Sequence, residues 1–183
     1  YMNKEQLTND IFNAVYGSGS NPDDYPAANY PSVYLDLQEG TTFEKKAKLL
    51  LYLEFDNGYS ALRRDLCSFR KYSIPYHTSI IKAIIEAYNV PLVTSGVSLP
   101  YSDVDENTLY YEHILTAYSI GMLDNTSLLR PYEGKLYGDA FFYLTFMSNS
   151  YSPVPTQSEL KDVDNYFNPN NYTPENMGIV RGI

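Results

Sequence analysis

Apolar side chains recur every three or four residues along six stretches of this chain, which is the spacing that lines one face of an α-helix. The clearest stretch carries Ile80, Ile81, Ile84, Ile85 and Tyr88 on one side. Although isoleucine also suits a strand, the three- and four-residue period favours a helix. The sequence therefore predicts a mainly α fold with helices over residues 3–16, 42–55, 59–66, 76–88, 110–122 and 136–147.

Turn-forming residues mark several ends of these helices. A Gly-Ser-Gly-Ser run at 17–20 ends the first predicted helix, and Pro91 follows the isoleucine-rich one. In the last helix, Phe141 and Leu144 are expected to point into the core, with Tyr137 as a further candidate.

Two irregular stretches separate and follow the helical parts. Residues 17–31 are rich in Gly, Ser, Asn, Asp and Pro, which favour turns and bury little, so they are predicted to form a linker. Beyond residue 149 the chain carries four prolines and many asparagines, which predicts an irregular tail with one helical turn near 159–163. The chain thus divides into an N-terminal helix (1–20), two helical units (33–91 and 100–150) and the tail (151–183).

The two units follow the same sequence order. Each begins with a tyrosine two positions before an aspartate, and these aspartates, Asp36 and Asp103, are 67 residues apart. A helix follows in each unit, then a loop that contains Tyr72 or Tyr132, 60 residues apart, and then a second helix. A helix-loop-helix unit of this size cannot bury its own apolar faces, so the units are expected to stack into one helical domain.

This order resembles the S-layer homology (SLH) module of bacterial envelope proteins, whose pattern is an aromatic-x-Asp-Val start, a helix ending near Gly-Ile, a short loop, an aromatic with Pro, and a second helix. The second unit matches at 101–104, 111–117, 121–122, 129–131 and 138–140. The first unit matches loosely, at 35–37, Phe69 and 75–88. The resemblance covers about 34–150, and because SLH modules usually come in threes, it implies that the helix at 3–16 is part of a third unit or a cap.

One departure from the SLH pattern bears on the ligand. SLH modules that hold wall polysaccharide use a Thr-Arg-Ala-Glu segment whose arginine contacts an acidic sugar substituent. Tyr76 and Tyr137 stand at the positions aligned with that arginine. A tyrosine can stack on a sugar ring or donate one hydrogen bond, but it cannot form the paired, charge-assisted bonds of arginine with a carboxylate. A neutral glycan or a protein therefore suits these residues better than an acidic wall polymer.

Composition and charge narrow the choice of partners. The 183 residues include 20 Tyr, 8 Phe and no Trp. Tyrosine packs its ring while its hydroxyl stays hydrated, which suits contact surfaces, although a codon bias toward Tyr and Asn explains the excess equally well. The formal charge of −9 argues against nucleic acid and anionic membrane as partners. No apolar run reaches the roughly 18 residues that a membrane span requires.

None of the reactive side chains forms a recognisable catalytic or metal site. His77 and His113 lie in different units and share no metal-ligand spacing with other residues, so both are predicted to be structural, with His77 exposed at a helix start. Cys67 is the single cysteine, which excludes an internal disulfide and favours an idle thiol. The acidic run at 103–107 lacks the Gly and Glu of a calcium loop and is predicted to cap a helix. The sequence predicts no enzyme, cofactor or metal.

These patterns favour a non-catalytic surface module of a bacterial envelope that binds a cell-wall polysaccharide or another envelope protein. The alternative is a structural subunit of a surface layer, an appendage or a virion, whose tails order against neighbouring chains and which can form homo-oligomers. A hydrolase is the weakest interpretation, because the constellations it needs are missing. The predicted ligand-binding residues are aromatic and basic side chains near the repeat loops: Tyr72, Tyr76, His77, Arg130, Tyr132 and Tyr137.

Overall fold

The computed structural model describes residues 1–25, 28, 34–52 and 69–151. These residues form five α-helices, one short 3-10 helix at Pro22–Asp24 and no strand, which confirms the mainly α prediction. The α-helices are α1 (Lys4–Tyr16), α2 (Thr42–Tyr52), α3 (His77–Ala87), α4 (Tyr111–Ser119) and α5 (Tyr137–Ser150). The helix predicted over 59–66, Cys67 and the tail beyond 151 lie outside the described residues.

Local capping explains where α1 and α2 begin. The Asn3 side chain accepts from the Gln6 amide while the Gln6 side chain accepts from the Asn3 amide, so two free helix-start donors are satisfied. Gly17 ends α1 with φ at 95°, a backbone angle that favours glycine. At α2 the Thr41 hydroxyl accepts from the Glu44 amide at 3.3 Å, so Thr41 is the cap among the two threonines of that turn.

The helices pack in two adjacent pairs around a shared centre. α1 packs against α2, and α3 packs against α4, which in each case is the helix that follows it in the sequence. α1, α3 and α5 also contact one another in all three combinations. The core where they meet is formed by apolar side chains that include Leu7, Ile11, Ile80, Ile84, Ile114, Leu144 and Met147.

The predicted core face is confirmed for α3 and is partly wrong for α5. All five residues predicted on the α3 face are buried. α5 buries Ala140, Tyr143, Leu144 and Met147, which lie at three- and four-residue intervals. Phe141 and Tyr137 are exposed although they were expected in the core, because the side of α5 that packs against α1 and α3 is the one with the four buried residues.

An unexpected ion pair is buried in α2. Glu44 and Lys48 lie one helical turn apart, and Lys48 Nζ is 3.0 Å from Glu44 Oε1. The same ammonium donates to the carbonyl of Ala28 at 2.9 Å. Both charged side chains are buried, and beyond this ion pair the two carboxylate oxygens of Glu44 have no hydrogen-bond partner.

Candidate functional site

Each repeat unit is closed by an aspartate that holds two consecutive backbone amides, an arrangement called here the aspartate clasp. The Asp103 carboxylate accepts from the amides of Leu129 at 2.9 Å and Arg130 at 2.7 Å. The Asp36 carboxylate accepts from the amides of Phe69 at 2.7 Å and Arg70 at 2.8 Å. The correspondence of Asp36 with Asp103 in the sequence is therefore matched by identical hydrogen bonding.

The clasp corrects the role expected for Asp103. This side chain caps no helix, because the residue before α4 is Tyr110, with no side-chain bond to the helix start. Asp103 instead holds a loop 26 residues farther along the chain. Arg70 and Arg130, the second residues of the two clasped pairs, both have φ at 59°. This left-handed backbone costs about 1–2 kcal/mol in a non-glycine residue, and the two charge-assisted bonds of each clasp offset that cost.

The loop that each clasp holds receives the start of a helix from the preceding unit. At α3 the amide of His77 donates to the Glu133 carbonyl at 2.7 Å, and that of Thr78 donates to the Pro131 carbonyl at 3.0 Å. The ring Nδ1 of His77 also lies 2.9 Å from the carbonyl of Leu129. The free amides at the start of α3 are thus satisfied by the loop over 129–133.

α1 begins on the first clasped loop in the same way. The amides of Lys4 and Glu5 donate to the carbonyls of Ser73 at 2.9 Å and Lys71 at 2.7 Å. The Lys4 ammonium donates to the carbonyl of Phe69 at 2.8 Å, which is the bond that His77 makes to Leu129 in the other loop. The start of α1 therefore docks on the loop of the first unit in the way that the start of α3 docks on the loop of the second.

This equivalence shifts the expected alignment by one residue. α3 begins at His77 and α5 at Tyr137, so the counterpart of Tyr137 is His77, and the counterpart of Tyr76 is Leu136. The corresponding first residue of α1 is Lys4. Tyr76 and Tyr137 thus occupy different positions of their units.

His77 is buried, so the expectation of an exposed ring is wrong. Its Nε2 lies 2.8 Å from the Tyr143 hydroxyl, and the two rings are nearly parallel with centroids 5.8 Å apart. Burial lowers the pKa of His77 to about 4, so the ring is neutral at pH 7. Burial also raises the pKa of Tyr143 above its usual value, which leaves this phenol protonated as a hydrogen-bonding partner.

Two of the predicted binding residues meet on the surface. Tyr76, the cap residue of α3, and Tyr132, on the second clasped loop, lie edge to face with ring centroids 5.5 Å apart. The two residues are 48% and 50% exposed. The Tyr132 hydroxyl accepts from the amide of Leu109 at 3.0 Å, which fixes the ring in place. This aromatic pair joins elements of both units.

The other two predicted tyrosines lie elsewhere. Tyr72 is 70% exposed on the first clasped loop, where the ammonium of Lys71 lies 5.0 Å from its ring centroid. Tyr137 stacks on Phe141 with centroids 5.9 Å apart. A hydrogen bond to the Asp10 carboxylate raises the pKa of the Tyr137 hydroxyl. The six predicted residues therefore do not form a single site.

Two cavities border the second clasped loop, and both are lined by His77, Leu129, Arg130 and Lys135. The first has a volume of about 410 Å³ and adds Glu133 and Asp139 to this lining. The second has a volume of about 380 Å³ and adds acidic and hydroxyl groups from 123–128. Basic and acidic side chains are mixed in both. Lys135 was not predicted here, because only the fold brings it beside Arg130.

His113 has a structural contact, in line with its expected role. Its Nε2 lies 2.7 Å from a carboxylate oxygen of Glu86, which joins α4 to α3. This hydrogen bond is the main cause that lowers the pKa of Glu86. Within the described part of the chain, no three His, Cys, Asp or Glu side chains lie close enough to hold a metal ion. None of the described helices has the length and apolar character needed to cross a bilayer.

Comparison of the chain with family models, curated proteins and solved structures finds no match.

Proposed function

We propose that this chain is a non-catalytic, SLH-like module of a bacterial envelope, and that it binds a wall glycan through the Tyr76 and Tyr132 pair. The observation that carries the proposal is this pair of half-exposed rings, fixed edge to face at the junction of two units. Sugar rings present apolar C–H faces that pack on aromatic rings, while the phenol hydroxyls bond to sugar hydroxyls.

The aromatic pair is held in place before any ligand binds. Tyr132 is fixed by the amide of Leu109, and Tyr76 immediately precedes the helix start that docks on the loop. Rings that are already ordered lose little conformational freedom on binding, so more of the contact energy contributes to affinity.

Charged side chains on the same loop as Tyr132 can extend the contact. The guanidinium of Arg130 is 3.7 Å from a carboxylate oxygen of Glu133, and both side chains are largely exposed. An exposed ion pair of this length contributes little, so Arg130 is free to turn toward a polar or acidic sugar substituent. In this proposal the basic group comes from the clasped loop, whereas SLH modules use the start of the second helix.

The test is retention of the purified chain on cell-wall sacculi with and without their covalently attached polysaccharide. We expect retention only when the polysaccharide is present, and a loss of about 5–10-fold in affinity for Tyr76→Ala and for Tyr132→Ala, the size of one aromatic contact. Tyr72→Ala is the matched control, because this tyrosine is exposed on the equivalent loop outside the pair. It is expected to bind as the unmodified chain does.

Two outcomes would contradict the glycan proposal. One is equal retention on both preparations, or on neither. The other is equal binding by the Tyr72, Tyr76 and Tyr132 variants. Absence of binding to both preparations would favour the second candidate, an assembly subunit, for which the exposed aromatic side of α5 is the supporting observation.

A further inference from the structure

Four large apolar side chains at the start of α5 are exposed to solvent. Leu136, Tyr137, Phe141 and Phe142, called here the open face, are each more than 40% exposed. Phe141 and Tyr137 stack on each other, so these two residues of the open face form one exposed aromatic surface over the first turn of the helix. A patch of this kind on a folded domain indicates that another element covers it.

The equivalent positions of the two related helices are buried. Counted from the first residue of each helix, Phe141 corresponds to Ile81 of α3 and to Thr8 of α1. Phe141 is 45% exposed, whereas Ile81 is 0% and Thr8 is 4% exposed. The first residues of the three helices show the same contrast in exposure. His77 and Lys4 are buried, whereas Tyr137 is exposed.

The helix that follows in the sequence packs against α1 and α3. α2 follows and contacts α1, and α4 follows and contacts α3. α5 is the last helix among the described residues, of which residue 151 is the final one. The open face therefore lies where the next segment of the chain would pack if the pattern continues.

The sequence after α5 repeats the opening of the second unit. Asp-Val-Asp occurs at 103–105 and again at 162–164, and each copy follows an apolar or aromatic residue two positions earlier, Tyr101 and Leu160. Glycine followed by an apolar residue then occurs at 121–122 and at 178–179, which lie 18 and 16 residues after the respective first aspartates. The segment between carries further aromatic residues.

The connection to this segment is long enough. Nine residues separate Ser150 from Leu160, compared with thirteen between Ala87 and Tyr101. Nine extended residues span up to about 30 Å. The 14 residues of α5 rise only about 21 Å, so the segment can return to the start of that helix.

We propose that residues 160–179 of this chain cover the open face of α5, in the way that the segment with α4 covers α3. The tail is then the first half of a unit that follows the second one, and α1 is the second half of a unit that precedes the first. This inference rests on the internal repeat and the exposure of α5, and it does not depend on the proposed glycan binding.

Hydrogen exchange of the full-length chain, followed by mass spectrometry, tests the proposal. In the unmodified chain we expect amides within 160–179 to exchange at least about tenfold slower than in an unstructured peptide. Phe141→Asp places a charge on the open face and is expected to remove that protection. Val163→Asp changes the segment and is expected to speed exchange within 137–147. Leu128→Asp, at another exposed apolar residue, is the control and leaves both regions unchanged.

Three results would overturn the proposal: no protection of 160–179 in the unmodified chain, protection that neither Phe141→Asp nor Val163→Asp reduces, or protection that depends on protein concentration together with a dimer mass in light scattering. The last result would assign the open face to a second copy. If Phe141→Asp also loses protection in α3, it has unfolded the domain, and Val163→Asp alone decides the outcome.

Discussion

His77 is enclosed between a backbone carbonyl and a phenol, and neither of its ring nitrogens faces water. Neither partner carries a charge, and although the bond to the Leu129 carbonyl raises the pKa of His77, it does not offset the effect of burial. The main cause of the lowered pKa is burial, which penalises the protonated form. Protonation of His77 therefore favours the unfolded chain.

The direction and size of this effect on the free energy of unfolding can be tested by varying the pH. The pKa of His77 is about 4 in the folded chain and about 6.5 when unfolded. The free energy of unfolding therefore has its full value above pH 6.5, where His77 is neutral in both states. It decreases by about 3 kcal/mol as the pH falls to 4. Urea unfolding of the unmodified chain and His77→Gln at pH 7, 5.5 and 4 measures it. Parallel pH profiles for the two proteins would contradict the prediction.

The sequence could not show that His77 is buried. Its helix-start position was correctly predicted, but the Tyr143 hydroxyl that completes its environment lies 66 residues away in the sequence. The burial of Lys48 could not be predicted for the same reason, since its ammonium donates to the carbonyl of Ala28, 20 residues away in the sequence. When the partners of a side chain are distant in the sequence, the local sequence pattern does not reveal its environment.

The aspartate clasps are the elements that give each unit its closed form. Each ties the start of a unit to the loop after its first helix, across a gap of 26 to 34 residues. Because each carboxylate accepts two amides, it also fixes the left-handed residue in the loop. The helix starts of α1 and α3 then dock on loops that are already shaped.

Removing one acceptor from a clasp should destabilise the domain measurably. Asp103→Asn keeps the shape of the side chain but loses its charge and one of its two bonds, so we expect a loss of about 1–2 kcal/mol in the free energy of unfolding. Asp36→Asn should behave alike. Asp105→Asn is the control, because the Asp105 side chain accepts only from the nearby amide of Asn107. Urea unfolding at pH 7 compares them. Equal stability of the Asp103 and Asp105 variants would show that the clasp contributes nothing.

Periodicity predicted the helices well, because their existence depends on local spacing. The isoleucine face of α3 was correct in every residue. The face of α5 was harder to predict, because large apolar residues occur on several of its sides. Phe141 satisfies the helical period as well as Leu144 does, and only the packing of α1 and α3 decides which is buried. The repeat predicted the equivalence of Asp36 and Asp103, but the bonds they make were visible only in the fold.

At the scale of the whole molecule, three equivalent positions meet where α1, α3 and α5 begin, and two of them, Tyr1 and Ile74, are 74% and 45% exposed. Tyr1, Ile74 and Gly134 each lie three residues before the start of α1, α3 and α5. A Cβ atom added to Gly134 would lie 2.5 Å from Cγ2 of Ile74 and 3.1 Å from Cδ1 of Tyr1. α1, α3 and α5 thus begin around one crowded point.

Substitution at this point should disturb the packing of all three helices. Gly134→Ala is expected to lower the free energy of unfolding by about 1 kcal/mol, the low end for overpacking, because the partly exposed Ile74 and Tyr1 side chains can shift. Gly138→Ala is the matched control, because no atom lies within 4 Å of the added Cβ and alanine favours a helix by up to about 1 kcal/mol. Thermal unfolding of both variants measures the difference. A Gly134→Ala protein as stable as the control would show that the side chains around Gly134 have room to adjust.

The docking of α1 on a loop from the next unit also sets an order of events during synthesis. The carbonyls that accept from its first amides belong to Lys71 and Ser73. A ribosome adds roughly 5–20 residues per second, so the chain from Tyr16 to Ser73 takes about 3–11 s to complete. An isolated helix of 13 residues is only marginally stable in water. The nascent chain therefore carries an unfinished first helix for seconds, and this is the period in which chaperones or misfolding compete for its apolar side.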